Sequence, residues 1–310
     1  MKNIFISGWL LVLSYQSALA CDNCNVYQNM NPNDFQSFVA LQYRTRLHFG
    51  HFNETGNLST KHGGNHSTPI NTSVWEYYSR VETQLNFNWK IKFRSTISIP
   101  WITNSRKEND IFKYHTQGIG DITLNQFYQV FNTKEDSAKK DWSQRVEIGM
   151  GVKLPTGSIT KEGTFGRANL DLQPGTGSLD FLGLINYNLR YKKVGWLNQG
   201  SFKINGSNTY QFAYGNVLNI GSNFYYFYQN SNFTIIPMVG IYGEFAGKDR
   251  NDSIIQESGS SQVFSNIGIQ LFKDKFGFAA NLRNATTFIT KDPSIIPTQY
   301  FWALTLTYNL

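Results

Sequence analysis

All five histidines of this 310-residue chain fall in one stretch, at His48, His51, His62, His66 and His115. Imidazole is the commonest side-chain metal ligand, and two to four converging rings suit Zn²⁺, Cu²⁺ or Ni²⁺. His51 follows His48 by three and His66 follows His62 by four, with Gly63-Gly64 between them. The spacing matches no fixed ligand rule, so a polar loop is the other reading. The two cysteines, Cys21 and Cys24, form a CxxC pair near the start. In an oxidising compartment that pair serves as a local disulfide, a soft-metal site or, at Cys21, a lipidation site. Hydrolytic chemistry needs a nucleophile held beside a base. Near these histidines stand Ser59, Ser67, Glu54 and Asp110, with no recognisable spacing, and an enzyme is not expected. No residue set implies a cofactor.

Those residues must be positioned by something, and the N-terminus says in which compartment. Lys2 precedes an apolar run, Ile4 to Leu13, and Ala18-Leu19-Ala20 offers a small-x-small cleavage site. Residues 1–20 read as a signal peptide, 21–35 as a periplasmic N-terminal segment and 36–310 as the main domain. The apolar run is too short to span a bilayer as a helix, and no later run is long enough. A chain that stays in a membrane must then cross it as closed strands.

Aromatic residues make up 15% of the chain, which suits the interfacial girdles of a barrel. Period-two alternation is clearest from Tyr77 to Trp89. Tyr77, Val81, Leu85, Phe87 and Trp89 share one face, and Arg80, Glu82, Gln84, Asn86 and Asn88 share the other. The pattern recurs and predicts twelve strands, near 36–49, 75–89, 91–103, 119–131, 143–155, 178–191, 195–205, 212–228, 233–246, 262–272, 275–288 and 299–310. The intervening connections alternate in length. Those at 50–74, 104–118, 156–177, 206–211, 247–261 and 289–298 are mostly long, and the others mostly short, with 132–142 the exception. Long outer loops and short periplasmic turns give that alternation, with both termini in the periplasm. The expected fold is all-β: a transmembrane antiparallel up-and-down β-barrel of about twelve strands in a bacterial outer membrane, a multi-pass protein. Its partners would be outer-membrane lipid, the barrel assembly machinery and a small solute. Basic residues aimed into a lumen make no nucleic-acid surface.

No charged side chain falls on the apolar face of the predicted strand cores. Arg44, Arg46, Arg80, Arg94, Arg145, Lys153, Arg190 and Arg283 fall on the polar face, as do Glu82, Asp121, Glu147, Asp180 and Glu244. Formal net charge is +7, falling to about +6 when Lys2 leaves with the signal peptide. A basic lumen fits a pore that favours anions. Ladders of ion pairs filling a narrow barrel fit the same residues.

Three segments together carry a resemblance. Gly118-Ile-Gly-Asp-Ile122 opens a strand, Lys153-Leu-Pro-Thr-Gly157 ends one, and Gln173-Pro-Gly-Thr-Gly-Ser-Leu-Asp180 opens the next. Their order and spacing, over roughly residues 75–230, resemble the outer-membrane barrel family associated with the meta-pathway of phenol degradation, near the FadL-type transporters of hydrophobic compounds. The start Cys21-Asp-Asn-Cys24 resembles a Bacteroidota group of barrels with a Cys-rich mature N-terminus. The resemblance implies a transporter-like barrel. FadL-type transporters carry an N-terminal hatch, and residues 21–35 are too few to build one. The chain therefore reads as a channel or transporter-like barrel passing small anionic or aromatic solutes. The alternative is a filled, non-conducting barrel whose histidine-rich outer loops bind metal ions or surface partners.

Overall fold

A computed structural model describes residues 37–52, 57–60, 64–67, 72–89, 92–133, 141–163, 166–256, 258–290 and 296–310. The expected signal peptide, the segment 21–35 with Cys21 and Cys24, His62 and the side chain of His66 lie outside the described residues.

Twelve antiparallel strands close on themselves. They are β1 (Phe38–Phe52), β2 (Thr72–Trp89), β3 (Phe93–Glu108), β4 (Ile111–Ile119 continued by Thr123–Asn132), β5 (Trp142–Lys153), β6 (Asp180–Tyr191), β7 (Val194–Ile204), β8 (Val217–Tyr226), β9 (Thr234–Ala246), β10 (Ser260–Lys273), β11 (Phe276–Thr290) and β12 (Thr298–Asn309). Each strand pairs with its neighbours in sequence, and β1 pairs with β12 from Phe38↔Asn309 onward, which seals the ring. Closure removes every sheet edge, so no ladder group is left to face hydrocarbon.

Side chains alternate between lipid and lumen, as the pleat requires. On β9, Val239 and Ile241 are exposed, and Ile236, Met238, Tyr242 and Glu244 are buried. The exterior is an apolar belt that includes Ile148, Phe181, Ile185, Ile220, Ile267 and Leu304. Aromatic rings bound it at the short-turn end, where Phe93 meets Tyr128 at 5.1 Å, Trp142 meets Tyr191 at 4.6 Å and Phe276 meets Tyr308 at 5.2 Å between centroids. Lys192 and Lys275 lie over Tyr191 and Tyr308. Towards the long-loop end the outward residues of β3 change from Ile97, Ile99 and Trp101 to Thr103, Ser105 and Lys107. The lipid band therefore ends near Trp101, and β3 continues beyond it.

Three expectations need correction. Residues 104–118 are not a loop but the upper parts of β3 and β4, paired from Trp101↔Ile119 to Glu108↔Ile111. Asn109 and Asp110, at φ +47° and +65°, make the two-residue turn. Polar residues conceal this extension because both of its outward faces meet water. Next, Phe212 does not begin β8. Phe212–Ala213 pairs with Arg250–Asn251 in a small sheet above the barrel, and β8 starts at Val217. Lastly, Asp121 does not lie within a continuous strand. It sits at a break, Gly120–Ile122, where β3 exchanges one half of β4 for the other.

Ile267 stands at the middle of the belt, 63% exposed. Ile267→Arg is expected to destabilise the barrel in lipid vesicles by about 2–4 kcal/mol, and Phe276→Arg at the interface by about 0–1 kcal/mol. Urea titration of vesicle-refolded protein checks both.

Candidate functional site

The fold gathers charges in the lumen, and it gathers them largely in pairs. Even-numbered residues of β1 and β2 point inward. Arg44 lies 3.4 Å and Arg80 2.5 Å from the Glu82 carboxylate, to which Gln84 also donates at 2.8 Å. Two residues further along β1, Arg46 makes a two-pronged contact with Glu244 of β9, at 2.9 and 2.5 Å. Three strands separate β1 from β9 on that side, so this pair crosses the lumen as a chord. Both side chains are 2% exposed. Arg46 also lies over the Phe301 ring, which Arg283 approaches at 4.8 Å while stacking on Tyr242 at 3.7 Å. On the next arc, Arg94 pairs with Glu147 at 2.9 Å and covers Phe127 at 4.1 Å. Arg190 lies over Phe227 at 4.7 Å, and Arg145 is half-buried beside Glu147 on β5.

A second group lies at the long-loop end of the lumen. Within the connection after β5, residues 168–178 are largely buried, and most described residues of 155–167 are exposed or half-buried. Leu170 and Leu172 are buried, the hydroxyl of Thr116 donates to the carbonyl of Leu172, and Gln173 ties the connection to itself through Lys161 and Ala168. Lys153 is the centre of this latch. Its ammonium lies 2.8 Å from Asp121 and 2.8 Å from Asp180, and it donates to the Thr176 hydroxyl. Asp121 accepts from the Gly157 and Thr176 amides, each at 2.9 Å. Asp180 accepts from the Ser178 hydroxyl and the Gly206 amide and has Lys203 at 3.6 Å. Gly157 and Gly175 pack backbone to backbone, where a Cβ on either would collide with the other. Gly177, at φ +71°, makes the following bend. The three segments that carry the family resemblance thus converge on one buried cluster.

Above the lipid band, Arg106 faces Glu76 at 3.3 Å and Glu108 at 2.9 Å. Burial works against its charge, but the two carboxylates outweigh it and hold the guanidinium pKa above its usual value. This cluster is not among the residues predicted from sequence. Its signal is the alternation Ile102, Asn104, Arg106, Glu108, which runs on past the predicted strand end.

The three histidines with described side chains are not brought together. His48 points into the barrel, between the carbonyl of Ile296 and the hydroxyl of Thr298. His51 is exposed and bonds Ser73, and His115 is exposed on the upper part of β4, not in a loop. Among the described residues, no three His, Cys, Asp or Glu side chains are placed to hold a metal ion.

Inward carboxamides, which carry no sequence motif, line the space that remains. A chamber of about 30 Å³ remains on the β6–β11 side, walled by Asn186, Gln199, Asn219, Asn223 and Asn266 with Ser201, Tyr242 and Arg283. Towards the short-turn end on that side, Leu197, Tyr225, Ile236, Met238 and Phe272 form an apolar floor.

No protein-family model matches the chain, and no curated protein matches it in sequence. Solved structures do match. An outer membrane channel from Pseudomonas putida F1 aligns at a TM-score of 0.62 and 9% identity, over 91% of this chain and 100% of that one. The β domain of the Bordetella autotransporter BrkA aligns at 0.49 and 7% identity, over 89% and 100%. The NanC porin aligns at 0.38 and 10% identity, over 87% and 100%. The first likeness shows a shared fold, and with the apolar belt it makes this chain an outer-membrane β-barrel.

Glu244→Gln leaves Arg46 buried against a neutral partner and is expected to cost about 3–5 kcal/mol, whereas the double variant Arg46→Met/Glu244→Leu stays within about 1 kcal/mol of the parent or exceeds it. Urea titration separates the two. A loss below about 1 kcal/mol in the single variant means that water screens the pair.

Proposed function

We propose that the chain is a channel or transporter-like barrel for small polar solutes, described here with its mouth latched, and that it catalyses no reaction. One observation carries this reading. Residues 168–178 lie buried at the long-loop end, held to the barrel through ion pairs and hydrogen bonds and not through the barrel ladder, and a hydrogen-bonding chamber lies within. A connection held this way detaches without disturbing the barrel ladder. The likeness to a channel fold and the transporter-like resemblance support the same reading.

Inward bases outnumber inward acids, which favours anions. Most of those bases already face carboxylates, so the preference is weak. The chamber wall is mainly carboxamide, with the Ser201 hydroxyl, the Arg283 guanidinium, Tyr242 and Leu184 beside it, a mixture that takes polar solutes.

The apolar floor favours a second reading, a filled barrel that conducts nothing. Planar-bilayer recording separates them. The channel reading expects discrete current steps and, across a KCl gradient, a reversal potential displaced modestly towards that of chloride. A protein inserted in the bilayer yet silent at every voltage supports the filled barrel instead.

A further inference from the structure

We propose that the outward face of β1–β4 above the lipid band docks the phosphorylated saccharide headgroup of the glycolipid in the outer leaflet. The inference is independent of whether the lumen conducts.

The height of this wall limits its neighbour. The lipid band ends near Trp101, and β3 runs on through Lys107. Six residues at the tilt of a barrel strand rise about 15 Å. A phospholipid headgroup layer is only about 5–8 Å deep. Beyond that depth, what stands beside the wall in an outer leaflet is the saccharide of a glycolipid. The face also continues, on the same four strands, the belt that already meets lipid.

Its chemistry matches that neighbour. The register sets Phe49 beside Trp75, Trp75 beside Lys107 and Lys107 beside Phe112, one outward row across four strands. Phe49 and Trp75 pack at 4.1 Å between centroids. Phe112 is 56% exposed, and Lys107 Nζ lies over its ring at 4.3 Å. Among the described residues no carboxylate pairs with Lys107, because the adjacent Glu108 turns to Arg106. Ser105 and the exposed His115 face each other one row nearer the lipid. Flat rings pack on the apolar C–H faces of a pyranose, and an ammonium meets phosphate as a point charge. Hydroxyl and imidazole groups bond sugar hydroxyls. An acyl chain would leave the ammonium and the imidazole without partners. A phospholipid headgroup presents no ring face to Phe49 and Trp75.

The test titrates full-length protein in detergent micelles with lipopolysaccharide and, separately, with phosphatidylglycerol, an anion without a sugar. Native mass spectrometry reads the fraction carrying one lipid. Lipopolysaccharide is expected to bind about tenfold more tightly. Trp75→Ala is expected to weaken it about tenfold and to change phosphatidylglycerol binding less than about twofold. Lys107→Gln is expected to weaken lipopolysaccharide about fivefold, and keeps the test valid should Trp75→Ala lose the strand signature in circular dichroism. Equal affinity for the two lipids, or parent affinity for lipopolysaccharide in Lys107→Gln, overturns the proposal. Displacement of lipopolysaccharide by an equal concentration of glucosamine 6-phosphate also overturns it, making the ligand a free sugar phosphate. So does a dimer that Trp75→Ala dissociates and lipopolysaccharide does not, which assigns the face to a second copy of the chain.

Discussion

A charge inside a narrow barrel has little water to face, so the inward-pointing ions must find partners on their own strand or on another. Twelve strands leave a lumen that side chains from opposite arcs can bridge. Arg46 and Glu244 do so across three intervening strands, both nearly inaccessible. Such a pair adds little net stability, because desolvating two ions consumes most of what their attraction returns. What it contributes is position. It fixes how β1 and β9 face each other, and with them the rings of Phe301 and Tyr242 and the stacked Arg283. The ion cluster borders the chamber of amides, since Tyr242 and Arg283 belong to both.

The same constraint shapes the mouth. Lys153 at the end of β5 stands between Asp121, at the break in β4, and Asp180, at the start of β6. None of the three can leave without exposing the others to a low-dielectric interior. Their backbone partners lie at Gly157, Thr176 and Gly206, so the ions hold two outer connections as well as themselves. The break in β4 follows from this requirement, since Asp121 must leave the pleat to meet both the amides and the ammonium.

The barrel was legible because lipid tolerates so little. Every residue of the belt must be apolar and every neighbour in the strand is free to be polar, so period two survives from Tyr77 to Trp89 and in all the other strands. Beyond Trp101 that constraint ends, both faces turn polar, and the hairpin carrying Arg106 and His115 became indistinguishable from a loop. The inward charges were legible as a set on one face, but their partners were not. Pairing between Arg46 and Glu244 depends on curvature and tilt, which local alternation does not encode. The motifs around Gly118–Ile122, Lys153–Gly157 and Gln173–Asp180 announced unusual backbone, and only the fold revealed that they meet. The chamber left no mark in the sequence, since asparagines on a polar face look alike whether they line a cavity or fill one.

The account stands on Lys153 as the fastening of the mouth, and single-molecule recording of Lys153→Met beside the parent in planar bilayers tests it most directly. Without its ammonium, Asp121 and Asp180 repel each other and the connection 154–179 loses its anchor. The variant should then spend about tenfold more time open at the same voltage, with an unchanged barrel signature in circular dichroism. An open fraction equal to the parent's, in a variant that folds and inserts, would contradict the latch.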